Sequence, residues 1–189
     1  MRALYSSGNS RKGTQCSQLP VLAGCVFTDA IQALSERDSK PSLASSSAMT
    51  ALTLHHARTI IDAALASARQ NNFKPMGVVV VDAAAQVLAS AREDGATALR
   101  LEIGLGKAAA AVGMGINSRV LALRAKDLPA FFGAIASVAQ QNFIPQTGAV
   151  LITDDAGQVI GAVGASGGTG DEDELIVIAG VAAAGLMHV

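Results

Sequence analysis

The chain has 189 residues, half of them hydrophobic, enough for one domain with a substantial core. Only 3% are aromatic and none is Trp, so the core must be built from Ala, Val, Leu and Ile, and stacking platforms for single-stranded nucleic acid are excluded. A net charge of −1 supplies no basic footprint for duplex binding, so no nucleic-acid partner is expected. No apolar run approaches the roughly 18 residues of a membrane span.

Residues 1–48 are rich in Ser, lack sustained periodicity and hold both cysteines, Cys16 and Cys25. They are expected to form a disordered extension or to precede a true start at Met49, leaving 49–189 as the folded domain. Leu22-Ala23-Gly24-Cys25 resembles a bacterial lipoprotein cleavage box, with Arg11-Lys12 as its basic region. The segment between carries Gln15, Ser17, Gln18 and Pro20, a poor apolar region for a signal peptide. A cytoplasmic protein is therefore expected over an exported or lipid-anchored one. With no Cys after residue 48, the domain relies on neither disulfides nor thiolate metal sites.

From Met49 onward the pattern is regular. Leu54, Ala57, Ile61, Ala64, Leu65 and Ala68 share one face of a helix predicted from Thr53 to Arg69, which Asn71-Asn72 and Pro75 end. Strands are predicted at Met76–Val81 and Gln86–Ala91, joined by a turn through Asp82–Ala85. A long helix of small residues follows from Leu99 to Gly115, then two helical pieces at Ser118–Leu123 and Leu128–Gln140. Ala149 to Ile152 and a run ending at Val163 make a second strand pair around Asp154-Asp155-Ala156-Gly157. Gly161, Gly164, Gly167, Gly168 and Gly170 lead into a final helix opened by Asp171 to Glu174 and running to about Leu186.

Val78–Arg92 and Val150–Ala165 resemble each other: apolar strand, Asp-bearing turn, Gln-Val, apolar strand. This predicts an α+β domain with a central antiparallel sheet of two hairpin-type pairs, about five strands, and helices packed on it. Neither hairpin alternates as a strand wetted on one face would, so both faces must be covered, by helices or by an oligomer interface. The glycine-rich loop sits where a phosphate cradle would, but four acids already occupy the helix N-terminus and no Lys-Ser or Lys-Thr follows. Asp171 and Glu174 have capping-box spacing, so a solvated, helix-stabilising acidic cap is expected.

These blocks in this order (HAR…DAALASA, VVVVDAAAQVLASARED-GA, GKAAAA, GAVLITDDAGQVIGAVGASGG…DEDE…AG) resemble the GlcG/HbpS family of small haem-binding proteins, which includes the C-terminal domain of PduO-type proteins. The resemblance covers residues 50 to 186, and the glycine-loop segment is its most specific part. It implies an α+β homo-oligomer, commonly an octamer, with haem or iron as cofactor in some members and a place in catabolic operons for others.

The resemblance directs attention to three positions. Some relatives supply an axial histidine from the region of His55 and His56, whose rings point about 100° apart on a helix, so one ligand takes one ring. His56 lies nearer the apolar stripe and is the favoured haem ligand. Lys107 is the only charged residue between Glu102 and Arg119; it must snorkel or pair with an acid or a bound carboxylate, such as a haem propionate. Gly167 and Gly168 would complete the pocket, between the first helix and the Lys107 helix. Relatives place a charged loop or iron site near Arg92-Glu93-Asp94-Gly95, and Glu93 and Asp94 are hard ligands suited to ferric iron. The sequence departs from the family at Ala110, about where many relatives carry a hydroxyl that some haem-binding members link to iron.

Two functions follow. One is a haem- or iron-binding protein. The other is a cofactor-free acid–base enzyme, of isomerase, lyase or hydratase type, for a small carboxylated metabolite. There Lys107 and Arg92 would bind substrate and Glu93 or Asp94 would move a proton.

Overall fold

In a computed structural model, residues 51–139 and 143–189 are described. Expectations about residues 1–48, a start at Met49, the cleavage-box-like segment and the two cysteines lie outside them. The elements in chain order are α1 (Leu54–Gln70), β1 (Gly77–Asp82), β2 (Val87–Arg92), α2 (Arg100–Met114), α3 (Ser118–Asp127), α4 (Pro129–Val138), β3 (Ala149–Thr153), β4 (Val159–Ser166), α5 (Gly170–Ala183) and β5 (Met187–His188). The strands form one sheet in the order β2-β1-β4-β3-β5, every neighbouring pair antiparallel. The predicted α+β class and both hairpins are present. The last helix ends earlier than expected, at Ala183, and the chain turns through Gly185 (φ 69°) into the short β5 against β3.

The apolar runs are covered on both faces by the chain's own helices. Val78, Val80, Val150, Ile152, Val163 and Ala165 pack with α1 and α5 on one side. Val79, Val81, Leu151 and Ala162 face Ala108 and Ala111 of α2 on the other. Each fully buried Val or Ile of these layers contributes about 1.5–3 kcal/mol. An oligomer interface is therefore not needed to explain the apolar character of β1, β3 and β4. β2 is the exception: it lies at the sheet edge and is largely exposed.

Glycine sets how closely α2 lies on the sheet. A Cβ on Gly104 would fall 3.2 Å from the Gly164 carbonyl oxygen, and one on Gly164 would collide with the Gly104 carbonyl. On the outer side of β3, the Asn117 and Ser118 side chains at the start of α3 bind the strand backbone. Asn117 Oδ1 accepts from Leu151 N–H at 2.8 Å, and Ser118 Oγ donates to the Ala149 carbonyl while accepting its N–H, both at 2.8 Å. These bonds satisfy buried backbone groups that β5 is too short to reach.

The sequence repeat is a repeat of atoms. Asp82 Oδ1 accepts from Ala84 and Gln86 N–H, and Asp154 Oδ1 accepts from Ala156 and Gln158 N–H. Both hairpins shift register at the same place, between Val80/Val81 and between Ile152/Thr153. The fourth turn residue is left-handed in each, Gly157 at φ 77° and Ala85 at φ 60°. Among the described residues, no helix is long and apolar enough to cross a membrane.

Candidate functional site

The polar residues singled out in the sequence fall at two ends of the domain. His55 and His56 stand in the first turn of α1. Fourteen residues at 1.5 Å each separate His56 from the helix end at Gln70, about 20 Å. Glu93, Gly167, Gly168 and the head of Lys107 gather at the far end. There Gly77 of β1 lies between Arg92 and Ser166, and Glu93 bonds the backbone beside it.

Lys107 is buried, and its partner is Asp173. Their Nζ and Oδ2 lie 2.7 Å apart, with side chains 6% and 2% exposed. Nζ also donates to the Ala165 carbonyl at 3.1 Å, and Asp173 Oδ1 accepts from Gly168 N–H at 3.1 Å. The pair thus ties α2, the end of β4, the glycine-rich loop and α5 together. Of the two fates open to Lys107 in the sequence, the structure shows pairing with an acid of the chain. Asp173 departs from the expected solvated cap. It shares the buried stripe of α5 with Ile176, Val177, Gly180 and Val181. Those offsets of three, four, seven and eight residues from Asp173 were legible in the sequence and would have marked it as the inward acid.

The capping box of α5 also lies two residues earlier than the Asp171–Glu174 spacing suggested. Thr169 Oγ1 accepts from Glu172 N–H at 3.3 Å, and Glu172 Oε2 accepts from Thr169 N–H at 2.6 Å. Asp171 and Glu174 instead hold Arg119 of α3, with Glu174 2.7 Å from its Nε. The Glu174 and Asp171 hydrogen bonds push the guanidinium pKa up, and it is charged at every accessible pH.

Glu93 is also bound internally. Its carboxylate meets Arg69 at 2.9 Å and accepts from Met76 N–H at 2.7 Å. The Arg92 guanidinium donates to the Ala96 carbonyl, while Asp94 is exposed. Lys107, Arg92 and Glu93 are therefore each held by a partner within the chain. Among the described residues, no group of three or more His, Cys, Asp and Glu side chains is placed to hold a metal. Gly167 and Gly168 owe their identity to packing. A Cβ on Gly167 would collide with Met76, and one on Gly168 with Glu172. Ala110 is fully buried beside Leu121, Phe132 and Phe143, in an apolar cluster under α3 and α4.

The two histidines behave differently. His55 is exposed; His56 is half-buried, its ring centroid 6.2 Å away, and its Nδ1 is enclosed with no hydrogen-bond partner. Neither imidazole is engaged by a side chain or carbonyl among the described residues.

A cleft of about 440 Å³ opens at the loop end, between the turn after α1, the start of α2 and the glycine-rich loop. The cleft shares the glycine-rich loop and the start of α2 with the expected pocket, but no residue of α1 and not Lys107, and its cations are Lys74 and Arg100, which sequence reasoning passed over. Nothing in local sequence distinguishes them from ordinary surface charges.

Residues 52–182 match the family model described as haem degrading protein HbpS-like. Among solved structures the chain is similar to a PduOC:heme complex, with 28% identity and a TM-score of 0.65 over 72% of this chain and 97% of that one. It is similar to HbpS with 28% identity and a TM-score of 0.62, covering 70% and 89% of the two chains. The Klebsiella pneumoniae protein ORFY gives 27% identity and a TM-score of 0.66, covering 76% and 98%. None of the curated proteins compared with the chain matches it. With its model matched across α1, both hairpins and nearly all of α5, the family is shown, and this chain belongs to the HbpS-like family.

Proposed function

We propose that the protein binds haem through a histidine at the start of α1. The observation that carries this is the family match over residues 52–182, supported by the likeness to the PduOC:heme complex. The side chains fit the group. A histidine serving as axial ligand needs one ring nitrogen free to bind iron, and both rings are uncommitted. His56 is the favoured ligand. With its Nδ1 enclosed, iron would be reached through Nε2. Bound haem would supply the iron-centred redox chemistry, while the chain holds the ring and limits solvent access to it.

The reading places haem at the histidine end rather than in the loop-end cleft, because about 20 Å of helix separates them. It also gives Lys107 no direct ligand role, since Asp173 holds its charge. A homo-oligomer is part of the same proposal. α4 (PAFFGAIASV) carries no charged residue, yet Phe131 is 53% and Val138 83% exposed, an apolar surface suited to a second copy. Sedimentation velocity tests this, and a strictly monomeric species would overturn it.

The haem reading is tested by titrating the purified full-length chain and following the Soret band. Saturable binding weakened at least roughly ten-fold in His56→Ala, and little changed in His55→Ala, is expected. An unsaturable response, or one indifferent to both variants, would overturn the proposal.

A further inference from the structure

The cleft at the loop end has the construction of a second binding site, independent of the histidines. Lys74 and Arg100 both line it, and neither is paired with a carboxylate among the described residues. The fold positions the Arg100 side chain and the backbone that carries Lys74. Arg100 opens α2 against Gly77, where a Cβ would fall 2.9 Å from the Arg100 Cβ, and its guanidinium donates to Ser166 Oγ at 3.3 Å. The backbone carrying Lys74 is fixed by Arg69, which donates to the Lys74 carbonyl at 3.0 Å while bound to Glu93. Glu93, a candidate for chemistry in the sequence, thus helps set the cleft wall.

With Lys74 and Arg100 against the single carboxylate of Glu172, the cleft lining carries a net positive charge, and a concave surface of that sign attracts an anion. We infer that this cleft binds a small dicarboxylate, with Arg100 taking one carboxylate through its planar fork and Lys74 the other. Its volume falls within the range of small-molecule sites. The glycine loop itself argues against phosphate. A phosphate cradled by the loop would use the loop's own N–H groups, but Gly168 N–H is bound to Asp173 and Thr169 N–H to Glu172. Glu172 lines the cleft too, and the Thr169 bond holds its Oε2. The side-chain cations remain as the anion grip. Phe73 lines the same wall and gives the ligand's carbon chain an apolar surface.

The test is calorimetric titration of the full-length chain with succinate, alongside succinamide, inorganic phosphate and haem. Saturable succinate binding is expected, weakened roughly ten-fold in Arg100→Gln and several-fold in Lys74→Gln, and unchanged in Arg124→Gln, a charge-matched change on exposed α3. Succinamide should not bind, and haem affinity should be the same in Arg100→Gln as in the parent. Circular dichroism establishes that the variants fold, and Lys74→Gln, at an exposed position, keeps the test open if Arg100→Gln does not. The inference is overturned if succinate fails to saturate at roughly millimolar levels or binds both variants as well as the parent. Phosphate binding as tightly as succinate would overturn the ligand class. Loss of haem with Arg100→Gln would assign the cleft to haem instead.

Discussion

Replacing Asp173 with Asn removes the carboxylate charge facing Lys107 while leaving an amide oxygen able to accept from Gly168 N–H. The ammonium of the buried Lys107 then has the Ala165 carbonyl as its remaining partner. Breaking a buried pair by removing one partner costs about 3–5 kcal/mol, because the charge left behind has no counterion. Against a total stability of about 5–15 kcal/mol, that is a large fraction of what holds the domain folded. With an m value of roughly 1.5 kcal/mol/M, the urea midpoint should fall by about 2 M or more. The double variant Lys107→Met/Asp173→Asn removes the stranded charge and should recover about 2 kcal/mol, since contacting residues couple by up to about 3 kcal/mol. Urea denaturation followed by far-UV circular dichroism measures both. A single variant within about 1 kcal/mol of the parent, or a double variant equal to the sum of its singles, would refute the reasoning. The double variant serves a second purpose. If Lys107 has no direct part in haem binding, the folded double variant should titrate with haem like the parent.

Three further outcomes are expected. Ala85→Gly should stabilise by about 0.5 kcal/mol, because relief of a left-handed Ala slightly exceeds the added chain entropy of Gly, whereas Gly157→Ala should cost about 1 kcal/mol; thermal unfolding of the two matched hairpins compares them directly. Thr169→Ala should cost about 1 kcal/mol by removing the capping box, and amide exchange should rise in the first turn of α5. Gly164→Ala should cost about 1–3 kcal/mol by forcing α2 off β4, and chemical denaturation giving parental stability would show that the Gly104–Gly164 approach is slack.

Element types were written in the sequence because their causes are local. The repeated strand-Asp-turn-Gln-Val pattern encodes two hairpins, since each Asp binds amides only two and four residues further on. The uninterrupted Val and Ile runs encode strands covered on two faces. Family membership was also legible, because the glycine-loop segment combines several such local demands in a fixed order.

Which groups meet was decided only by the tertiary structure, because charge is long-ranged in sequence and short-ranged in space. Lys107 and Asp173 are 66 residues apart in the chain. Periodicity could show that each points inward, but pairing across the domain depends on how α2 and α5 flank the end of β4. Glu93 looked like a free acid until the fold brought Arg69 and the Met76 amide to it. The histidines and the glycine loop, read as one pocket, prove to lie at opposite ends of α1. The first helix touches both because it is long, and only its direction across the sheet reveals that a single ligand in one chain cannot reach both.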